Sequence, residues 1–423
     1  MLKFINNQFF LMIALSSIVP FLIWGPFFPD LIVSLTSLFF LFHVIKNNDF
    51  RFFNNKPLII FFVFCFYVIV CSVVSDNIMF SFESSLFYFR IGVFSCFIWY
   101  MIDKDKNILL FFYYALTICF SSLVIDGYIQ FLFGKNIFGS VLSNENRISS
   151  FFGDEWIMGS YLSRLFPLLF ALFLIKKKNR FEIYYIGVLF ILIDILIYIS
   201  GERTAFFFLN LSTLFIIILI KKYQKFRIIT FLIALLFISI LTFSNSKLAE
   251  RMIVGPGKTM GLISDDRQNH IFTPAHDSLI KTAFNMFLDK PIIGHGPKMF
   301  RVICKNDKNK MYQTGIKPCD THPHNFYVQL LAETGFIGFV FLFLALLYVF
   351  YSAYRQFKSI ILKQKRYLSD YQVCLLGGLL ITVWPFSPNG NLFNNWLMIV
   401  YSLPIGFYLH SFYGIKRKQL ISC

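Results

Sequence analysis

Long apolar runs recur along almost the whole of this 423-residue chain, and they limit its fold more than any other feature. Most runs have about 16 to 20 residues, and a helix of that length crosses a hydrocarbon layer about 30 Å thick. Because lipid offers no partner to backbone N–H and C=O groups, such segments must be helices. The sequence therefore predicts an all-α, polytopic integral membrane protein with about twelve transmembrane helices.

The predicted spans define three parts of the chain. They start near Phe9, Leu31, Leu58, Leu86, Asn107, Gly159, Glu182, Thr204, Ile228, Gly335, Tyr371 and Trp396. Residues 1–243 would form a bundle of nine spans, and residues 244–334 a large helical loop subdomain between spans 9 and 10. Residues 335–423 would contain the last three spans and a tail. No small-x-small cleavage site follows the first span, so we expect it to remain as an anchor.

Lysine and arginine are concentrated in alternate connections between these spans. They occur at Lys46, Arg51 and Lys56, at Lys104 and Lys106, and in the stretches 176–180, 221–227, 354–366 and 416–418. Basic connections stay in the cytoplasm, so both termini should be cytoplasmic and the large loop periplasmic. This asymmetry also explains the formal net charge of +17, so the charge does not point to a nucleic-acid partner.

Several classes of site have no motif in the sequence. The chain has no GxxxxGK[ST] phosphate loop, so we expect neither nucleotide binding nor an ATP-driven pump. No Cys or His spacing suggests a metal site. The adjacent carboxylates of Asp265 and Asp266 more often mark a solvated helix start than a cation site. We therefore predict no metal and no other cofactor.

The large loop contains two cysteines, Cys304 and Cys319. A disulfide between them would close a loop of about 15 residues and contribute roughly 3 kcal/mol in an oxidising compartment. Two reduced surface thiols are the alternative. The sequence favours the disulfide because the loop is predicted to be periplasmic.

Three arginines are predicted at the level of the outer leaflet. Arg90 and Arg164 lie near the outer ends of their spans, and Arg203 follows the seventh span. Asp194 is a candidate partner for Arg164, and Glu202 for Arg203, but one aspartate cannot neutralise three arginines. A guanidinium binds phosphate oxygens through two parallel hydrogen bonds. The functional alternative to pairing is therefore an anionic ligand such as a lipid diphosphate.

Four stretches, in this order, resemble the O-antigen ligase and O-antigen polymerase superfamily of bacterial envelope glycosyltransferases. They are RISSFFGDEWIMGSYL (147–162), SGERTAFF (200–207), Arg267 followed by FLDKPIIGHGPKMF (287–300), and HPHNFYVQLLAETGFIG (322–338). The Gly-rich turn within the third stretch is a weak signal by itself. The order of the stretches, with a large loop before the last one, is more specific.

The resemblance implies roles for individual residues. The essential histidine of the family matches His324, and its two arginines match Arg203 and Arg267, so these three are the predicted catalytic residues. The predicted substrate-binding residues are Arg90, Arg147, Arg164, Asn325 and Arg301. His322 is a poorer match than His324. Glu202 departs from the family pattern, and local pairing with Arg203 is expected for it.

The same resemblance implies transfer of a glycan from an undecaprenyl-diphosphate carrier to an acceptor hydroxyl, on lipid A core in the case of a ligase. The reaction would take place at the periplasmic face of the bacterial inner membrane without a metal. His324 would accept a proton from the acceptor or bind the diphosphate. An O-antigen polymerase and a protein O-oligosaccharyltransferase remain alternatives. A transporter of lipid-linked glycan is less favoured, because the charges cluster on one side of the membrane.

Overall fold

The computed structural model describes residues 8–142, 147–261, 272–305 and 311–415, which form helices and connecting loops with no strand. The predicted catalytic residue Arg267 and the pair Asp265 and Asp266 lie outside the described residues. The basic stretch 416–418 lies outside them as well.

The helices follow one another through short connections in most of the chain. In chain order they are α1 (Gln8–Ser16), α2 (Ile18–Trp24), α3 (Phe27–Asn47), α4 (Lys56–Val73), α5 (Ile78–Ser85), α6 (Arg90–Lys104), α7 (Asn107–Phe133), α8 (Met158–Ile175), α9 (Arg180–Ile199), α10 (Arg203–Leu219), α11 (Gln224–Ser244), α12 (Ser246–Ala249), α13 (Gly255–Thr259), α14 (Pro274–Asp289), α15 (Phe300–Ile303), α16 (Phe326–Ile361), α17 (Asp370–Thr382) and α18 (Asn395–Tyr413). Short 3₁₀ turns occur at Phe50–Phe52 and Ser150–Phe152, and a π turn at Glu250–Val254.

The predicted all-α, polytopic membrane fold is confirmed. Within the described residues, eight helical segments are long and apolar enough to cross a membrane: α3, α4, α5 with α6, α7, α8, α9, α11 and α16. Shorter apolar segments, α1 with α2, α10 and α17, occupy three further predicted spans. The remaining predicted span corresponds to the 19-residue α18, which packs against α6.

The large loop is folded onto the first turns of α16. Its longest helix, α14, packs against α16. Buried side chains of α14 and α15, among them Leu279, Met286 and Phe300, form an apolar cluster with Ala332 of α16. The loop is therefore attached to the same helix that follows His324.

Helix α16 is broken at Gly335, whose φ of 66° and ψ of −169° lie outside the helical region. The Gly-rich turn of the large loop fits into this break. The N–H of His295 donates to the carbonyl of Ala332 (3.0 Å), and the N–H of Gly296 donates to the carbonyl of Glu333 (2.8 Å). The turn thus supplies hydrogen-bond donors that the broken helix lacks, which is a structural role for the GHG sequence.

Asp194 is paired with Arg227, and the expected bridge from Asp194 to Arg164 is wrong. Arg227 Nη1 and Nη2 lie 2.7 and 3.0 Å from the two carboxylate oxygens of Asp194. Nη2 also donates to Thr213 Oγ1 at 2.8 Å. Helix α11 packs against α9, and the long side chain of Arg227 reaches from the start of α11 into the bundle. Arg227 is therefore fully buried and does not belong to the basic surface predicted for residues 221–227.

Removing one member of the Arg227–Asp194 pair should destabilise the bundle strongly. We expect Asp194→Asn to lower the free energy of unfolding by about 3–5 kcal/mol, because it leaves a buried guanidinium without its counter-charge. Thermal unfolding of the purified protein in detergent measures the effect.

The double variant Asp194→Leu/Arg227→Met is the control, because it removes both charges and keeps apolar volume. It should be closer in stability to the unsubstituted protein than the single variant is. A single variant that unfolds at the same temperature as the parent would show that the pair contributes nothing.

Candidate functional site

Three imidazole rings meet where the large loop returns to α16. The ring centroids of His322 and His324 are 4.0 Å apart, and those of His276 and His324 are 4.9 Å apart. The carboxylate of Asp320 lies 3.9 Å from His324 Nε2 and accepts a hydrogen bond of 2.6 Å from Lys317. We refer to His276, His322, His324 and Asp320 as the histidine cluster.

The position of His324 is fixed by the helix that follows it. Asn325 is the N-cap of α16, and its side-chain oxygen accepts hydrogen bonds from the N–H groups of Tyr327 (3.0 Å) and Val328 (3.2 Å). Its amide group donates to the carbonyl of Pro385 at 2.7 Å. His324 itself has a φ of 55°, a left-handed conformation that is uncommon outside glycine, asparagine, aspartate and histidine. Asn325 therefore fixes the backbone conformation next to His324, and with it the position of the imidazole.

The loop between α17 and α18 joins the cluster to a buried arginine. The N–H of Asn389 donates to the carbonyl of His324 at 2.7 Å, and its side-chain oxygen accepts a hydrogen bond of 2.8 Å from Arg164 Nη2. The guanidinium of Arg164 is 5% exposed and lies 4.6 Å from the ring centre of Phe208 and 4.4 Å from that of Tyr401. Arg164 is thus connected to the backbone of His324 through a single residue.

Arg301, on α15, belongs to the same region. Its positive charge contributes to the lowered pKa of His322. Its Nε atom and the Nε and Nη1 atoms of Arg164 are buried without a hydrogen-bond partner among the described residues. A buried donor without a partner costs about 1–3 kcal/mol, so such groups call for a ligand or water. Two of the predicted substrate-binding arginines are therefore linked to the histidine cluster, Arg164 through Asn389 and Arg301 through its charge, and both have hydrogen-bonding capacity left.

A second group of charges surrounds the start of α8. The carboxylate of Glu202, which was expected to pair with Arg203, accepts hydrogen bonds from the N–H groups of Gly159 (2.6 Å) and Ser160 (3.0 Å). The exposed Arg203 donates from Nε to the carbonyl of Arg251 at 2.8 Å. Burial raises the pKa of Glu202 to about 7, against the effect of the two hydrogen bonds. Glu202 therefore caps α8, the helix that carries Arg164.

The two remaining predicted arginines have aromatic or acidic neighbours. The guanidinium of Arg147 lies 4.6 Å from the ring centre of Trp156, and its charge acts on Glu202. Arg90 begins α6, and its Nη2 atom lies 2.5 Å from Asp30 Oδ1. The positive charge of Arg90 is therefore paired with the carboxylate of Asp30, whereas Arg147 lies near the second group of charges.

The histidines of the cluster are neutral at neutral pH. Burial lowers the pKa of His324 to about 3 and that of His322 to about 4. Neighbouring imidazoles add to the lowering, and the carboxylate of Asp320 opposes it. Burial also lowers the pKa of His276. A neutral imidazole has a lone pair, so His324 is in the form that can accept a proton.

A disulfide bond lies next to the histidine cluster, within the large loop. Cys304 and Cys319 are bonded, with their Cα atoms 5.4 Å apart. Cys319 directly precedes Asp320, and Cys304 directly follows α15, which carries Arg301. The bond thus connects the backbone beside Asp320 to the helix that carries Arg301.

Sequence reasoning missed His276 and Asn389. His276 stands alone in the sequence, and only the packing of α14 brings it to His324. Asn389 had a weak signal, since SPNGN (387–391) is a polar stretch between two predicted spans. Among the described residues, no group of three or more His, Cys, Asp or Glu side chains is arranged to hold a metal ion.

Comparison with known proteins supports the resemblance given by the motifs. The family model described as O-antigen ligase matches residues 186–343, from within α9 through the large loop and into α16. The matched stretch contains Arg203, Arg301 and His324. A search of curated proteins finds no match to the chain.

The lowered pKa of His324 can be tested by chemical modification with diethyl pyrocarbonate, which reacts with neutral imidazole. A histidine with a pKa of about 6.5 loses more than about tenfold in reactivity between pH 7.5 and pH 5, because it becomes protonated. For His324 we expect a nearly constant rate over this range, measured by mass spectrometry of the modified peptide. N-acetylhistidine in the same solution is the control, and a rate for His324 that falls in parallel with it would contradict the lowered pKa.

Proposed function

We propose that this chain, which matches the O-antigen ligase family over residues 186–343, transfers a glycan from an undecaprenyl-diphosphate carrier to an acceptor hydroxyl. The family match indicates a glycosyltransferase of the ligase or polymerase type. The observation that carries the finer proposal is a neutral His324 whose backbone carbonyl is joined through Asn389 to Arg164, and whose neighbour His322 is affected by the charge of Arg301. Both arginines have buried nitrogens without a hydrogen-bond partner among the described residues.

In the proposed reaction the acceptor oxygen attacks the anomeric carbon of the donor glycan. His324 takes the proton of the acceptor hydroxyl, and the bond between the anomeric carbon and the diphosphate oxygen breaks. The electron pair of this bond leaves with the diphosphate. A bound diphosphate would also raise the pKa of His324 through its negative charge, so the imidazole becomes a stronger base once the donor is in place.

Stabilisation of the departing diphosphate is the second requirement of this reaction. Guanidinium groups in a water-poor site can meet it without a metal ion, because they carry a fixed charge and form paired hydrogen bonds to phosphate oxygens. Among the described residues, Arg164 is joined to His324 through Asn389, and the charge of Arg301 acts on His322. Arg203 and Arg147 lie in the second group of charges, around the start of α8. We propose that they bind another part of the donor. Arg267 stays a candidate from the sequence alone.

The proposed location is the bacterial inner membrane, with both termini in the cytoplasm and the histidine cluster facing the periplasm. The distribution of lysine and arginine supports this orientation. We favour lipid A core as the acceptor, which would make the protein an O-antigen ligase. The polymerase and the protein O-oligosaccharyltransferase remain the alternatives, because they require the same chemistry at the site.

His324→Asn should abolish glycan transfer without affecting folding. Asparagine tolerates the left-handed conformation of residue 324, so the backbone is kept while the base is lost. We expect a loss of about 10²–10⁴-fold, which is typical for removal of a general base. Lipopolysaccharide gels at matched membrane protein levels, together with thermal unfolding in detergent, measure the two effects.

Two further variants complete this test. Arg203→Ala should also leave the protein inserted but abolish transfer, whereas His322→Asn should have a smaller effect than His324→Asn. Normal surface glycan in the His324→Asn strain would refute the proposed role.

Deletion of the gene should distinguish the ligase from its closest alternative. If the protein is a ligase, all capped chains disappear from lipopolysaccharide gels and polymer accumulates on the carrier. A deletion strain with core plus a single repeat unit would instead identify a polymerase. Unchanged lipopolysaccharide together with a lost glycoprotein band would favour protein glycosylation.

A further inference from the structure

A pocket of about 140 Å³ lies at the other end of the transmembrane bundle from the histidine cluster. Helix α18 connects the two regions: it starts after the loop that contains Asn389 and reaches the pocket at Tyr413, about 28 Å further along the helix. The pocket is lined by Arg51, Asn54, Trp99, Asp103, Tyr413 and Ile415. Three parts of the chain therefore form it: the turn between α3 and α4, the end of α6, and the end of α18.

One side of the pocket carries a positive charge that is available to a ligand. The side chain of Arg51 is 43% exposed, and its Nε atom lies 3.2 Å from Asp49. The guanidinium also stacks 4.5 Å from the ring centre of Phe52. The exposed amide of Asn54 adds a further donor beside it. This side is suited to phosphate oxygens.

The other side carries a negative charge held in a fixed position. Asp103 is only 8% exposed, and its two oxygens accept hydrogen bonds of 2.9 Å from Trp99 Nε1 and of 2.9 Å from the N–H of Ile415. His410 Nε2 lies 3.4 Å from Oδ1. A carboxylate offers about four acceptor positions, so it can take a further donor from a ligand.

Aromatic rings form the wall next to Asp103. The rings of Trp99 and Tyr413 have centroids 5.8 Å apart, and Phe52 packs against Trp99 at 5.0 Å. Aromatic faces attract cations, and tryptophan and tyrosine are common at the level of lipid headgroups. The wall therefore suits a ligand whose cationic end lies near Asp103.

We propose that this pocket binds the headgroup of a zwitterionic phospholipid, with its phosphate at Arg51 and Asn54 and its primary ammonium at Asp103, beside the rings of Trp99 and Tyr413. The carboxylate of Asp103 would repel a purely anionic headgroup, and the guanidinium of Arg51 would repel a purely cationic ligand. A headgroup that carries both a phosphate and an ammonium group matches the charges of both sides. The N–H groups of a primary ammonium can also donate to Asp103, which a trimethylammonium group cannot do.

Thermal unfolding of the purified full-length protein in detergent tests the proposal, with titration of short-chain phosphatidylethanolamine, phosphatidylcholine and phosphatidylglycerol. A ligand that binds only the folded state raises the unfolding temperature in a saturable way. We expect this rise with phosphatidylethanolamine at lower concentration than with the other two lipids. Arg51→Gln should weaken the apparent affinity for phosphatidylethanolamine about tenfold or more, because it removes a charge-assisted hydrogen bond.

Two variants keep the result interpretable. Lys46→Gln removes another exposed positive charge at the end of α3, outside the pocket, and should leave the titration unchanged. Asp103→Asn should reduce the preference for phosphatidylethanolamine over phosphatidylcholine, whatever its effect on stability in the absence of lipid.

Equal shifts with all three lipids would overturn the proposal, and so would a titration that responds equally to Arg51→Gln and Lys46→Gln. The readout does not depend on glycan transfer. Its outcome is therefore independent of the proposed enzymatic function.

Discussion

The break of α16 at Gly335 is the feature on which the rest of this region depends. A helix that is interrupted at the level of a membrane must find new partners for its freed backbone groups, because lipid provides none. Here the turn that contains His295 and Gly296 supplies donors to the carbonyls of Ala332 and Glu333. This attachment holds the large loop against the start of α16, so the loop histidine His276 reaches the histidines that precede the helix.

The arginines of the bundle show how differently one residue type is used in the same fold. Arg227 forms two hydrogen bonds to the buried Asp194, and the partly exposed Arg90 is bonded to Asp30, so both charges are paired with a carboxylate. Among the described residues, Arg164 has one hydrogen-bond partner, the neutral amide of Asn389, and two flanking aromatic rings. Its remaining capacity is what a diphosphate would use. Only the arrangement of partners separates structural arginines from candidate binding residues.

Much of the architecture could be predicted from the sequence because it follows from composition along the chain. The apolar runs and the basic connections between them predicted the spans. The long polar interval predicted the loop that contains Cys304 and Cys319. The HN motif singled out His324. The pairing of Asp194 could not be predicted, because the starting point of a long side chain says little about where its charged end lies. His276 was missed because its role depends on a contact across the fold.

By itself, the sequence determined that the chain forms apolar helices, that a large loop interrupts them, and that His324 lies where this loop meets α16. These properties are local, since they depend on the length and polarity of consecutive residues. Only the tertiary structure decided that His276 and Asp320 surround His324, that Asn389 connects it to Arg164, and which carboxylates neutralise which arginines. Such contacts join residues far apart in the chain, and the packing of helices and the need to satisfy buried polar groups select them.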